Sequence, residues 1–134
     1  MSGIKDKTID IGMLKNRQRI LHAVQQWKQV LDNSPDMVAI LDNNRQVILL
    51  NQTACVRLGV PQEQAAGKDY CTLLHQGNGR HPDCPHSRLE RSGEWQSCKE
   101  SITILGKPFR ISVSPLMGDA GEIIATVHVA REVC

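Results

Sequence analysis

Apolar residues near the N-terminus recur every three or four positions, which predicts an amphipathic helix from Met13 to about Leu31. The apolar stripe consists of Leu14, Ile20, Leu21, Val24, Trp27 and Leu31. Two or three heptads are long enough for a coiled-coil partner, but such a stripe can also pack on the helix's own domain. The pattern does not distinguish these two kinds of burial. Pro35 lacks a backbone donor and disfavours helical geometry at Ser34, so the helix is expected to end before Pro35.

Two short apolar runs follow the predicted helix, Met37 to Leu41 and Val47 to Leu50. The turn-forming residues Asp42-Asn43-Asn44 lie between them. Asn and Asp tolerate the left-handed geometry that tight turns need, so this stretch predicts a β-hairpin.

Short helices are predicted after the hairpin. The segment "NQTACVRLG" suits a helix that ends at Gly59. The next segment begins with Pro61 and is closed by Gly67, which favours a helix of one or two turns. A further brief helix is expected in "HSRLERSG", ending at Gly93.

Three strand-like segments complete the chain: "QSCKESITIL", "PFRISVSPL" and "EIIATVHVAREV". In the first two, apolar residues alternate with polar ones, so each strand has one buried face; these residues are Ile102, Ile104, Phe109, Ile111 and Val113. Short turns at Gly106-Lys107 and "MGDAG" join the three segments. The order of elements therefore predicts an α+β domain with an antiparallel sheet and helices on one face.

Length and composition agree with one compact domain plus an extension of about thirty residues. The 134 residues are 40% hydrophobic and 22% charged, with a net charge of +2. Basic residues form no stripe interleaved with aromatics, so no nucleic acid partner is expected. No apolar run approaches the roughly 18 to 20 residues that cross a bilayer. We expect a cytoplasmic segment without membrane contact, although a longer protein containing it could be membrane-anchored.

The stretch "CTLLHQGNGRHPDCPH" at residues 71–86 concentrates cysteines and histidines. Cys71, His75, Cys84 and His86 supply two sulfurs and two nitrogens, a set that suits tetrahedral zinc. Their spacings nevertheless match no common zinc-finger pattern. Five cysteines without regular spacing predict reduced thiols by default.

Two other interpretations of this cluster stay open. A disulfide between Cys71 and Cys84 would close a loop of about 14 residues and restrain the unfolded chain by roughly 3 kcal/mol. In the cytoplasm such a pair is more often a reversible redox sensor than a permanent link. Alternatively, Cys71 is a small buried core residue and His75, His81 and His86 are ordinary loop histidines.

Three segments of the chain together resemble a PAS domain, a sensor module of bacterial signalling proteins. They are "NSPDMVAILDNNRQVILLNQTACVRLG", "GKDYCTLLH" and "ISVSPLMGDAGEIIATVHVARE", which cover about residues 30 to 133. The resemblance implies a five-stranded antiparallel sheet whose concave face, with short helices, encloses a small cavity. It also implies a sensor domain at 33–134, a helical extension at 1–32 that mediates homodimerisation, and a C-terminal output domain.

The resemblance implies further candidates for binding. Ile40, Ile111, Val113 and Val127 lie on alternating strand faces and are candidates to line the cavity around a small-molecule ligand, although such residues are more often plain core. Some PAS domains hold haem non-covalently through a histidine of this region, so His81 and His86 are candidate axial ligands. Flavin is not expected, because the segment "Asn-Cys-Arg-Phe-Leu" of light-sensing relatives is missing and aromatics make up only 3% of the chain.

The expected function is sensory and non-catalytic. The chain contains no Walker-type phosphate loop and no Gly-rich dinucleotide turn after a strand. The resemblance implies a domain that regulates a histidine kinase in a two-component phosphorelay. One alternative is the same module in a diguanylate cyclase or transcriptional regulator, and another is a thiol redox protein that uses Cys71 and Cys84.

Overall fold

The structure is a computed structural model that describes residues 18–25, 27–74, 96–97, 102–104 and 106–133, with backbone alone at 96–97 and 102–103. Helices comprise residues 18–25 (α1), Lys28–Asp32 (α2), Gln52–Leu58 (α3), Gln62–Ala65 (α4) and Tyr70–Leu74 (α5). Strands comprise Met37–Leu41 (β1), Val47–Leu50 (β2), Gln96–Ser97 (β3), Ile102–Ile104 (β4), Lys107–Met117 (β5) and Ile123–Glu132 (β6). The helix predicted in "HSRLERSG" lies outside the described residues.

All strands belong to one sheet in the order β2-β1-β6-β5, with β3 and β4 both paired with β5. β6 pairs with one edge of β5, and β3 and β4 pair with different parts of the other edge. β3 and β4 therefore together occupy one strand position, and the sheet has five strand positions. Every described strand pairing is antiparallel. The predicted α+β class and five-stranded antiparallel sheet are confirmed.

Polar side chains shape the β1–β2 hairpin. The carboxylate Oδ1 of Asp42 accepts hydrogen bonds from the backbone N–H groups of Asn44 (2.8 Å) and Gln46 (2.9 Å). Among described non-glycine residues, only Arg45 has a positive φ, at 62°. The hairpin was predicted correctly, but its left-handed residue is Arg45, because Asp42 acts as the acceptor that closes the turn.

The N-terminal helical region packs on the sheet of its own chain. Ile20 is buried, and the partly buried side chains of Leu21, Val24 and Leu31 join it against one face of the sheet. Trp27 lies in a turn between α1 and α2 and is 62% exposed. Trp27 is therefore not buried on its own domain with the rest of the stripe, because this turn interrupts the helical periodicity.

The two faces of the sheet carry separate apolar layers. We call the face covered by α3, α4 and α5 the inner face, and the face covered by α1 the outer face. Inner-face strand residues are Met37, Ala39, Leu41, Val47, Leu50, Ile104, Phe109, Ile111, Val113 and Ala130. Outer-face strand residues are Ile40, Ile48, Leu49 and Ala125, with Leu116, Ile124 and Val127 partly buried. Burial of apolar area on both faces stabilises the sheet.

Two of the short helices, α3 and α4, lie where the sequence predicts them. Asn51 caps α3, and Gly59 ends it in left-handed geometry with φ 69°. α4 is a single turn after Pro61, and Gly67 follows it with φ 82°. None of the helices in the described ranges has the length and apolar character to cross a bilayer.

Candidate functional site

The predicted cavity-lining residues lie on both faces of the sheet. Ile111 and Val113 are buried on the inner face. Ile40 and Val127 are neighbours across β1 and β6 and belong to the outer layer. The four side chains therefore do not line one common cavity, and only Ile111 and Val113 face α3 to α5.

Two surface grooves lie on either side of Gln62. One has a volume of about 420 Å³ and a floor that includes Leu21, Val24 and Ile48. The other has a volume of about 510 Å³ and runs beside α3. Neither groove includes Ile111 or Val113, so neither is the small cavity expected on the concave face.

Cys71 is the one member of the predicted cysteine–histidine cluster that the structure describes. It is buried on α5, where its Sγ accepts a hydrogen bond from Nη1 of Arg45 at 3.8 Å. The other members, His75, Cys84 and His86, lie outside the described residues, as does the haem candidate His81. Zinc binding, haem binding and the Cys71–Cys84 disulfide consequently stay predictions.

Polar side chains lie within the apolar inner layer on β6. Thr126 and His128 are buried, while the alternating residues Ala125 and Val127 belong to the outer layer. The His128 ring is 1% exposed and meets Tyr70 of α5 edge to face, with ring centroids 5.2 Å apart. Among the described residues, Thr126 Oγ1 has no hydrogen-bond partner. A histidine on the inner face of a central strand is therefore in direct contact with the helical layer.

The β1–β2 hairpin brings a buried charge to the same region. Arg45 is 2% exposed and contacts Cys71 through its guanidinium. Its backbone carbonyl accepts a hydrogen bond from the backbone N–H of Tyr70 at 2.9 Å. We call Arg45, Tyr70, Cys71 and His128 the inner polar group. Four such side chains packed together in an otherwise apolar layer form a specific polar arrangement, so we take the inner polar group as the candidate functional site.

The sequence patterns did not identify Arg45, Tyr70 and His128 as candidate site residues. A signal for His128 was present, since the alternation in "EIIATVHVAREV" places Thr126, His128 and Ala130 on one face. Arg45 gave no such signal, because an arginine in a polar hairpin turn is ordinarily exposed.

Asn51 joins the N-terminal region, β1 and α3. Its Nδ2 donates to the backbone carbonyls of Leu31 (2.7 Å) and Asp36 (2.9 Å). Its Oδ1 accepts from the backbone N–H groups of Val38 and Ala54, each at 3.0 Å. A single buried side chain thus fixes the end of the N-terminal helical region against the start of α3.

Charged pairs hold the end of β6. Arg57 of α3 lies 2.9 Å from Glu132, and Lys107 lies 3.6 Å from the same carboxylate. The hydrogen bond from Arg57 is the main cause that lowers the pKa of Glu132, and the charge of Lys107 acts in the same direction. Arg131 contacts Asp36 at 3.1 Å, and this hydrogen bond raises the pKa of Arg131.

The thiol of Cys55 on α3 differs from that of Cys71 in its surroundings. Cys55 is half-buried and packs against the inner layer. Burial is the main cause that raises the pKa of its thiol, while the nearby Lys28 charge opposes the effect. A raised pKa lowers the thiolate fraction, which agrees with the packing of Cys55 against the inner layer.

A protein-family model described as the PAS fold matches residues 25–133. The chain belongs to the PAS family. The predicted boundary between the extension at 1–32 and the PAS domain at 33–134 stays a prediction, because nothing in the structure marks it. A search of curated proteins finds no significant match.

Solved PAS domains share this fold at low sequence identity. One from Colwellia psychrerythraea is 17% identical with a TM-score of 0.67, and the match covers 83% of this chain and 97% of that one. The PAS domain of nitrogen regulation protein NR(II) from Vibrio parahaemolyticus is 16% identical with a TM-score of 0.62, covering 79% and 96%. A sensory box sensor histidine kinase structure from Vibrio cholerae is 16% identical with a TM-score of 0.54, covering 87% and 97%. The chain thus shares the fold of these PAS domains.

Proposed function

We propose that this PAS domain is a non-catalytic sensor within a longer signalling protein, and that its input acts on the inner polar group. The favoured output is a histidine kinase of a two-component phosphorelay, since one structure that shares the fold is described as a sensor histidine kinase. A diguanylate cyclase or a transcriptional regulator would use the same domain with a different C-terminal output.

The observation that carries this proposal is the inner polar group itself. Tyr70 is buried in the same cluster as Phe109 and Val113, His128 is paired with Val113 across β5 and β6, and Arg45 is buried beside Cys71. Apolar side chains of similar volume would pack there without the cost of removing a charge from water. A buried polar network depends on each of its contacts, so a ligand or a chemical change at one member alters the others.

The input can be a small-molecule ligand or a change at Cys71. A ligand held against α5 and β6 would replace contacts such as that between Tyr70 and His128. Oxidation of Cys71, or a metal ion bound by Cys71 with His75, Cys84 and His86, is the second candidate. The hydrogen bond from Arg45 to the Cys71 sulfur favours it, because a guanidinium beside a sulfur stabilises its anionic form.

Residues outside the inner polar group support the proposed homodimer. The apolar side of α1 is occupied by the chain's own sheet, through Ile20 and Leu21. α2 has no buried residue. Trp27, which precedes α2, is 62% exposed, and Val30 within α2 is 63% exposed. A dimer through the N-terminal region would therefore use Trp27 and Val30.

Two assays test the proposed function. The purified chain is incubated with labelled ATP and Mg²⁺, and we expect no phosphorylated protein; autophosphorylation would contradict a non-catalytic domain. Tyr70→Phe is then placed in the whole signalling protein, with Met117→Leu as a control on the surface, away from the proposed dimer residues. The proposal predicts a changed output for Tyr70→Phe alone, at unchanged thermal stability, and equal outputs for both variants would contradict it.

A further inference from the structure

We propose that α3 couples the inner face to both flanks of the domain, through Asn51 toward the N-terminal helices and through Arg57 toward the end of β6. This inference rests on the proposed sensory function, because it names the route by which a change at the inner polar group leaves the domain. It assigns positioning roles to Asn51 and Arg57.

α3 receives changes in the inner layer because it packs directly on it. Ala54 is fully buried in that layer, and Cys55 and Leu58 pack against it. The guanidinium of Arg57 lies over the ring of Phe109, 5.5 Å from the ring centroid. Closely packed layers transmit displacement, so repacking around Tyr70 and Phe109 changes the position of α3.

The N-terminal link consists of short hydrogen bonds at the first turn of α3. Asn51 connects Leu31 and Asp36 to Ala54, as described above. Asp32 Oδ1 also accepts from the backbone N–H of Gln52 at 2.8 Å, and Thr53 Oγ1 donates to the carbonyl of Ser34 at 2.6 Å. α3 cannot tilt without moving the segment from Leu31 to Asp36 or breaking one of these bonds.

The C-terminal link is the ion pair between Arg57 and Glu132, the last residue of β6. Both side chains are about one-third exposed, so the pair is weak and can open without unfolding the domain. Among the described helices, α3 alone has contacts both with the segment before β1 and with the end of β6. It is therefore the element that can move both flanks together.

Amide hydrogen exchange at the two flanks tests this route. The N-terminal probe is the N–H of Asn33, bonded to the carbonyl of Gln29, and the C-terminal probe is the N–H of Val133, bonded to the carbonyl of Pro108. Cys71→Ala changes the inner polar group at a site away from α3. We expect this change to alter exchange at both probes by at least about threefold at equal global stability.

Two variants, one in each link, then test the N-terminal and C-terminal routes separately. Asn51→Asp keeps the acceptor for Val38 and Ala54 but loses both donated bonds, so Cys71→Ala should no longer affect Asn33 while its effect on Val133 remains. Arg57→Gln should give the converse result. Lys28→Gln breaks an exposed pair with Asp32 on the same flank and serves as the matched control, with both responses intact.

The outcomes distinguish this inference from the proposed function. If both probes still respond to Cys71→Ala in the two link variants, α3 is not the route, although the sensory proposal survives. If neither probe responds in the otherwise wild-type chain, both proposals are contradicted. If Asn51→Asp does not fold, Thr53→Val replaces it, because this change removes a single hydrogen bond on the same flank. Thr53→Val should weaken the effect of Cys71→Ala on exchange of the Asn33 amide. An undiminished effect would contradict the inference.

Discussion

Arg57 on α3 lies 2.9 Å from Glu132 at the end of β6, and the same guanidinium lies over the buried ring of Phe109. One side chain thus contacts both the inner layer and the last residue of the final strand. This contact gives the domain a physical connection between its interior and the point where the chain leaves the sheet.

The Arg57–Glu132 pair predicts how the carboxyl of Glu132 titrates. Its pKa in the folded state is lowered, mainly by the hydrogen bond from Arg57, so the pair stabilises the fold above the unfolded pKa. This contribution is lost as pH falls through the folded pKa. NMR titration should show that Arg57→Gln raises the pKa of Glu132 more than Lys107→Gln does. An equal shift in both variants would contradict the assignment.

Replacing Asn51 by alanine should destabilise the domain strongly. The change removes a helix cap and leaves the backbone N–H groups of Val38 and Ala54 without their side-chain acceptor. We expect a loss of roughly 2 to 5 kcal/mol in the free energy of unfolding, measured by urea denaturation. Gln52→Ala, an exposed neighbour, is the control and should cost less than about 0.5 kcal/mol. Similar losses for the two variants would show that the Asn51 amide is not a structural junction.

The side chain of Gln62 forms hydrogen bonds with the free edge of β2, the terminal strand of the sheet. Its Oε1 accepts from the backbone N–H of Leu50 at 2.7 Å, and its Nε2 donates to the carbonyl of Ile48 at 3.1 Å. Gln62→Ala exposes these edge groups, so we expect a loss of roughly 1 to 3 kcal/mol and increased self-association at high concentration. Light scattering and urea unfolding measure both effects. Gln64→Ala, on the exposed side of α4, should change neither.

The proposed dimer surface is tested by substitution of exposed apolar residues. Trp27→Ser combined with Val30→Ser should shift the chain toward monomer in analytical ultracentrifugation, since both side chains would be buried in the dimer. Met117→Ser removes an exposed apolar side chain on β5 and should leave association unchanged. A wild-type chain that is monomeric at high concentration would rule the dimer out.

Local signals made the hairpins and short helices predictable from sequence. Turn residues stand between apolar runs at Asp42 to Asn44, and Gly59 ends α3, so these elements follow from backbone preferences alone. The sheet followed from alternation within each strand. The resemblance added the number of strands and the family.

The layout of the site was not predictable in the same way. Alternation shows that Ile40 and Ile111 each face one side of a strand, but both sides of this sheet are apolar. Which side carries the helices is set by tertiary packing, so Ile40 and Val127 could not be separated from Ile111 and Val113. The burial of Arg45 depends on the hairpin lying against α5, a contact between segments distant in sequence.

The central claim is that a change confined to the inner polar group reaches the end of β6. Tyr70→Phe removes one hydroxyl from that group, and exchange of the Val133 amide reports on the end of β6, where its N–H donates to Pro108. The account predicts a several-fold change in the Val133 exchange rate, with the urea midpoint unchanged. An unaltered Val133 rate, together with shifted NMR signals at His128, would contradict it.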